Sequence, residues 1–198
     1  MVQTKPRFKS LEEYLLFDDG TDDRYELVDG VLVKVPTEST LNTQIAMFLV
    51  SVFLQLGIPI KRLSIKNQIA VKSDSVTARE PDFMVHSEES LSAIDGASQA
   101  IVKLGMPVPS LVVEVVSPGE PGSENHDCDY IQKPQEYAAR GIPEYWLVDP
   151  IREVILLHLL TNGKYQIKMF RGNERIESPA FKLLQLTAEK ILEAGGQE

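Results

Sequence analysis

The sequence is poor in cysteine. Of 198 residues only Cys128 is one, so no disulfide can close within the chain and no zinc site can be built on cysteines. That suits a reducing compartment, and a cytoplasmic location is expected. Long apolar runs are also missing. The most apolar stretch, residues 45–54, ends at Gln55 and falls well short of the ~20 residues that cross a bilayer. No apolar run follows the polar first ten residues, so neither a secretion signal nor a membrane partner is expected. Excess positive charge is absent too: 29 acidic residues against 20 basic ones give a net charge of −9, which disfavours a protein that coats nucleic acid through bulk charge. Aromatic residues make up 7% and include one tryptophan, too few to suggest the stacking platform of a carboxylate-pair glycosidase. What remains is ordinary for a folded protein, 43% apolar and 25% charged, and the length suits one domain over residues 1–198.

Periodicity supplies the elements. Ser10 opens a short amphipathic helix with Leu11, Tyr14 and Leu15 on one face. Asp29-Gly30 and Asn162-Gly163 each separate two β-prone runs, the strongest short-range hairpin signal. Leu41, Ile45, Phe48, Leu49, Val52, Phe53 and Leu56 fall at helical spacing with Gly57 as a stop, and this is the expected main core helix. Strand-like runs follow at 58–65, 68–72, 81–86 and 111–117, and a polar stretch of small residues reaches Gly105. A loop at 119–128 leads into a helix that Gly141 closes. A strand at 143–149 comes next, and Thr187 can cap a last helix. The order predicts an α/β domain, a mixed sheet flanked by helices.

Two strands carry a carboxylate where burial is expected. In residues 111–116 (LVVEVV) both faces are apolar, so Glu114 sits in a central strand. An ionised carboxylate there costs several kcal/mol unless it is paired or bound to a metal. Asp82 follows Pro81 at the start of another strand and can reach a sheet end. Two carboxylates meeting at one sheet end repel each other, and a divalent cation with oxygen ligands, Mg²⁺ or Mn²⁺, relieves the repulsion. Lys133, at the head of the next helix, is the candidate for orienting water or holding developing negative charge. Pro134 beside it signals a helix that is kinked or starting anew.

Pro81-Asp82, Glu114 with Ser117-Pro118, Asp129 with Lys133, the run 141–150 (GIPEYWLVDP) and the opening 25–30 (YELVDG) together resemble the Uma-two family of restriction-endonuclease-like proteins, within the PD-(D/E)XK nuclease superfamily. The resemblance covers residues 10 to 195. It implies a restriction-endonuclease-like core with an N-terminal helix-hairpin and a C-terminal β-hairpin extension. It further implies that Asp82, Glu114 and the backbone carbonyl of Val115 ligate the metal. The superfamily's usual lysine position, two residues after the glutamate, is Val116 here, and the family's displaced lysine corresponds to Lys133. Glu26 would be an additional acidic residue. Relatives commonly carry Arg near positions 126 and 128 and His near 42, where this chain has His126, Cys128 and Asn42.

Plainer readings stand beside these. Glu26 could face solvent opposite Lys34 or Arg24. Asp129 and Lys133, at i and i+4, could form an exposed salt bridge. Tyr137, Tyr145 and Trp146 read as packing residues, His158 as a buried strand histidine, His86 as solvated and His126 as part of the acidic loop. Basic residues at 58–79 and 164–175 could follow a phosphate backbone or line a solvated edge. The expectation is Mg²⁺-dependent endonucleolytic hydrolysis of nucleic acid, DNA foremost, with a homodimer as the plausible assembly. The alternative is a catalytically inactive nuclease-like scaffold that binds or regulates a partner.

Overall fold

Side-chain caps set where four of the described helices begin. Ser10, Ser39, Ser87 and Thr187 each accept the backbone N–H three residues on, from Glu13, Asn42, Ser90 and Lys190. The computed structural model describes residues 6–21, 23–35, 39–117 and 119–194, so Pro118 of the sequence motif lies outside the described residues. The chain runs α1 (Leu11–Leu15), β1 (Tyr25–Val28), β2 (Val31–Lys34), α2 (Thr40–Gln55), β3 (Leu63–Ser64), β4 (Gln68–Lys72), β5 (Val76–Arg79) and β6 (Phe83–Val85). It continues through α3 (Glu88–Ile94), β7 (Ile101–Val102), β8 (Leu111–Val115), α4 (Glu124–Asp127), α5 (Lys133–Arg140), β9 (Glu144–Asp149), β10 (Val154–Thr161), β11 (Lys164–Phe170) and α6 (Ala188–Leu192).

These elements build a mixed α/β fold with two mixed sheets rather than one. The first runs β2-β1-β5-β4-β7 and the second β11-β10-β9-β8-β6-β3. β8 lies at the centre of the second sheet, antiparallel to β6 and parallel to β9. Its apolar residues on both faces are explained by what covers them. Leu111, Val113 and Val115 pack with Ile45, Leu49 and Phe53 of α2, and with Ile191 of α6. Val112 and Val116 pack with Tyr137 of α5, Tyr145 and Leu147 of β9, and Ile69 and Val71 of β4 in the other sheet. Burying a side chain of this size contributes about 1.5–3 kcal/mol, so the two covered faces fix β8 firmly. Among the described residues, no helix is long and apolar enough to cross a membrane.

Both hairpins fall where expected, with Asp29, Gly30, Asn162 and Gly163 all in the left-handed region. Gly141, at φ 89°, closes α5. Other segments differ from the sequence reading. Residues 58–65 are mostly a 3₁₀ turn at Ile60–Arg62 followed by the two-residue β3. The polar stretch before Gly105 contains α3 and β7, short elements whose signal is the Ser87 cap and not periodicity. β5, absent from the sequence reading, has little apolar signal of its own (Val76-Thr-Ala-Arg79) and is a strand by pairing with β1 and β4. His86 is buried and not solvated: its ring is held between the hydroxyls of Ser64 on β3 and Ser90 on α3 at 3.1 and 3.0 Å, and burial together with Arg62 lowers its pKa.

Gly30 ties the first hairpin down. Its N–H donates to the Val76 carbonyl and its own carbonyl accepts from Phe8, both at 2.7 Å. It lies at φ 78°, and a Cβ there would sit 2.5 Å from the Phe8 carbonyl oxygen. Gly30→Ala therefore strains the backbone and clashes with it. Urea unfolding of the variant should show a loss of about 2 kcal/mol or more.

Candidate active site

Strand pairing brings the two expected carboxylates to neighbouring segments of the second sheet. β6 and β8 pair Phe83 with Val113, and one step further on each chain stand Asp82 and Glu114. The Val115 N–H donates to Asp82 Oδ2 at 2.7 Å, so Asp82 is anchored on the residue that follows Glu114. Its other oxygen faces Lys66, with Nζ 3.5 Å from Oδ1. Lys66 holds φ 64°, a left-handed conformation uncommon for a residue with a side chain. Asn42 donates from Nδ2 to the Val115 carbonyl at 3.4 Å.

Glu114 lies on the face of β8 that α5 covers. Lys133 Nζ donates to its Oε2 at 2.8 Å and the Tyr137 hydroxyl to its Oε1 at 2.6 Å. Lys133 also reaches Asp129 Oδ1 at 2.9 Å, and the Ser117 N–H donates to Asp129 Oδ2 at 3.2 Å. The three helical residues follow an i, i+4, i+8 pattern. They come together because the chain enters α5 through a π-turn at Cys128–Gln132, and Pro134 sits in the first turn of α5. Proline lacks the N–H that would continue the preceding ladder, so the hydrogen-bond pattern changes there.

Burial governs the electrostatics. Glu114 is 3% exposed, Asp129 5% and Lys133 9%, which replaces the exposed i, i+4 salt bridge of the sequence reading with a buried cluster. Burial raises the Glu114 carboxyl from 4.5 to about 7, against the pull of Lys133. Burial works to lower Lys133, but Glu114 and Asp129 outweigh it and hold the ammonium well above the ordinary lysine range. Burial, then Glu114, push Tyr137 up, so its hydroxyl stays a donor. Cys128 is raised to about 11 by burial and remains a thiol.

Glu26 lies elsewhere in the network. On β1 it accepts from Arg79 at 3.2 Å and from the Glu80 N–H at 2.9 Å, because β1 and β5 are neighbours with Leu27 opposite Ala78. It does not face solvent opposite Lys34, and its charge raises the pKa of both Glu114 and Lys133. Of the basic stretch, Arg79 is buried among acids and is not presented to a phosphate backbone, while Arg62 donates from Nε to the His86 carbonyl. Tyr145 and Trp146 are core residues, and His158 is buried with its pKa lowered by burial to about 4. Sequence reasoning missed the hydrogen-bonding role of Tyr137, and the i, i+8 spacing from Asp129 was the available signal.

A family profile described as "Uma2: Putative restriction endonuclease" matches residues 11–189. The chain belongs to the Uma2 family. Among solved structures, this Uma2 protein is similar to one described as a putative nuclease belonging to DUF820 from Anabaena variabilis ATCC 29413, at 17% identity and a TM-score of 0.69. The match covers 93% of this chain and 98% of that one, and at this identity it speaks for the shared fold. A search of curated proteins finds no match.

The raised Glu114 pKa has a consequence for stability. The native fold binds this proton more tightly than the unfolded chain does. The contribution is therefore full below about pH 4.5 and is lost as pH rises through about 7. Glu114→Gln does not titrate. The stability of wild type minus that of Glu114→Gln should fall by about 3 kcal/mol between pH 4 and 8, measured by urea unfolding. A flat difference would show that Glu114 keeps an ordinary pKa.

Proposed function

We propose that this protein is a metal-dependent nuclease that hydrolyses phosphodiester bonds in DNA. The observation that carries the reading is the Lys133–Glu114 contact at 2.8 Å, made from a helix onto a central strand beside the Asp82 anchor. The family description and the neighbour's title support the reaction class.

The donor set suits a hard divalent cation. Asp82, Glu114 and the Val115 carbonyl offer oxygen only, and an ammonium group already faces each carboxylate, where positive charge is favoured. Around them five carboxylates (Glu26, Asp82, Glu114, Asp129, Glu136) meet three cations (Lys66, Arg79, Lys133). Among the described residues, no three acidic, His or Cys side chains form a cage by themselves. Mg²⁺ needs no such cage, since it is commonly held by one or two carboxylates with water and substrate phosphate completing its shell. Bound there, Mg²⁺ or Mn²⁺ would supply Lewis acidity toward the phosphodiester and activate water.

The chain's own groups do the rest. Glu114 serves as a ligand only when ionised, which favours pH above about 7. Lys133 stays charged, fixed by Asp129, and donates to the attacking water or to the phosphate oxygens as charge builds. The Tyr137 hydroxyl fixes the Glu114 carboxylate, and Glu26 adds negative potential from the neighbouring sheet. A cytoplasmic homodimer fits this reading, because two such cores can cut both strands of a duplex.

A second reading has an observation of its own. Both Glu114 oxygens are held by protein donors in a closed environment, which favours a nuclease-like scaffold that cuts nothing. Titration calorimetry with Mn²⁺ separates the two. A nuclease binds Mn²⁺ with an affinity that rises about tenfold per pH unit below pH 7, Glu114→Gln and Asp82→Asn abolish binding, and Lys133→Met keeps binding while plasmid cleavage falls about 100-fold or more. Equal binding by wild type and Glu114→Gln, or no binding and no cleavage between pH 6 and 8, would overturn the metal reading.

A further inference from the structure

We infer that Arg79 is a positioning residue, whose buried guanidinium fixes the π-turn and α5 so that Lys133 and Tyr137 meet Glu114. The inference deepens the nuclease reading and rests on it for its catalytic consequence, though its first test does not. Arg79 ends β5 in the first sheet and is 1% exposed. Its Nε and one terminal nitrogen donate to the two oxygens of Glu136 at 2.7 and 2.8 Å, a bidentate pair. The other terminal nitrogen donates to Glu26 at 3.2 Å and to Cys128 Sγ at 3.6 Å.

The placement of these partners carries the argument. Cys128 begins the π-turn and Glu136 lies in the body of α5, so one planar group touches the helical segment on both sides of Lys133. Glu136 stands three residues after Lys133 and directly before Tyr137. Rotation of α5 about its axis would withdraw both donors from Glu114, and the fork of hydrogen bonds to Glu136 opposes that rotation. Glu26 takes the remaining donor, so the guanidinium is tied to the first sheet at one end and to the helix at the other. A lysine could supply the charge but not the fork. A buried guanidinium must have its charge answered by its partners, so loss of either carboxylate is felt by the whole clamp.

The test follows the Glu114 carboxyl by ¹³C NMR, with Glu114→Gln to assign the signal, in wild type, Arg79→Lys and Glu136→Gln. A positioning role predicts that the Glu114 titration midpoint rises by about one pH unit in both variants, as Lys133 and Tyr137 move away. The sign is diagnostic. Glu136→Gln removes a nearby negative charge, which by itself would lower the midpoint, and Arg79→Lys leaves the charge unchanged. An unchanged or lowered midpoint in folded Glu136→Gln would overturn the inference. If Arg79→Lys does not fold, the near-isosteric Glu136→Gln still decides. In plasmid cleavage with Mn²⁺, both variants should lose kcat with KM little changed. A raised midpoint in a protein that cleaves nothing would leave the clamp standing and remove the nuclease reading. Full kcat in Glu136→Gln with an unmoved midpoint would remove the clamp alone.

Discussion

The buried contact between Lys133 and Glu114 is the interaction on which the rest depends. A carboxylate at the centre of a sheet, 3% exposed, is tolerated only if its charge is answered or its proton retained. Here both occur in part. The ammonium and the Tyr137 hydroxyl satisfy the two oxygens, while burial holds the carboxyl near neutrality. The cluster is thus costly as a stability device and well suited to chemistry, because its protonation balance lies near physiological pH.

The fold serves that contact by bringing three layers together. α2 and α6 close one face of the second sheet, which leaves the opposite face of β8 for α5 and the first sheet. Glu114 points toward the shared side. Asp82 stands just before the antiparallel β6 and is fixed by the amide of Val115, so strand register brings it beside Glu114 and the hydrogen bond holds its carboxylate there. The π-turn gives the helical face its azimuth, and Arg79 joins that helix to the first sheet.

The uneven charge of the chain has a structural meaning here. Much of the basic stretch at 58–79 is turned inward or spent on local contacts: Arg79 on Glu26 and Glu136, Arg62 on the His86 carbonyl, Lys66 toward Asp82. On the C-terminal hairpin, Lys168 pairs with Glu177 and Arg171 donates to the Arg152 and Glu153 carbonyls. Among the described residues, these five basic side chains are therefore engaged by local partners rather than held out together, in keeping with the net charge of −9.

Much of the architecture was legible from local rules. Asn162-Gly163 and Asp29-Gly30 specify hairpins through backbone conformation alone, Gly57 and Gly141 stop helices, and the doubly apolar pattern around Glu114 marks a central strand. These signals are local, so sequence determines them directly. The division into two sheets, the burial of His86 and the meeting of Lys133 and Tyr137 on Glu114 were not local. The role of Arg79 is the clearest case: in the sequence it is one basic residue among several, and only the packing of β5 against β1 and α5 turns it into a buried fork between two acids. Which polar groups share a low-dielectric interior depends on contacts between distant segments, and that is settled by tertiary packing.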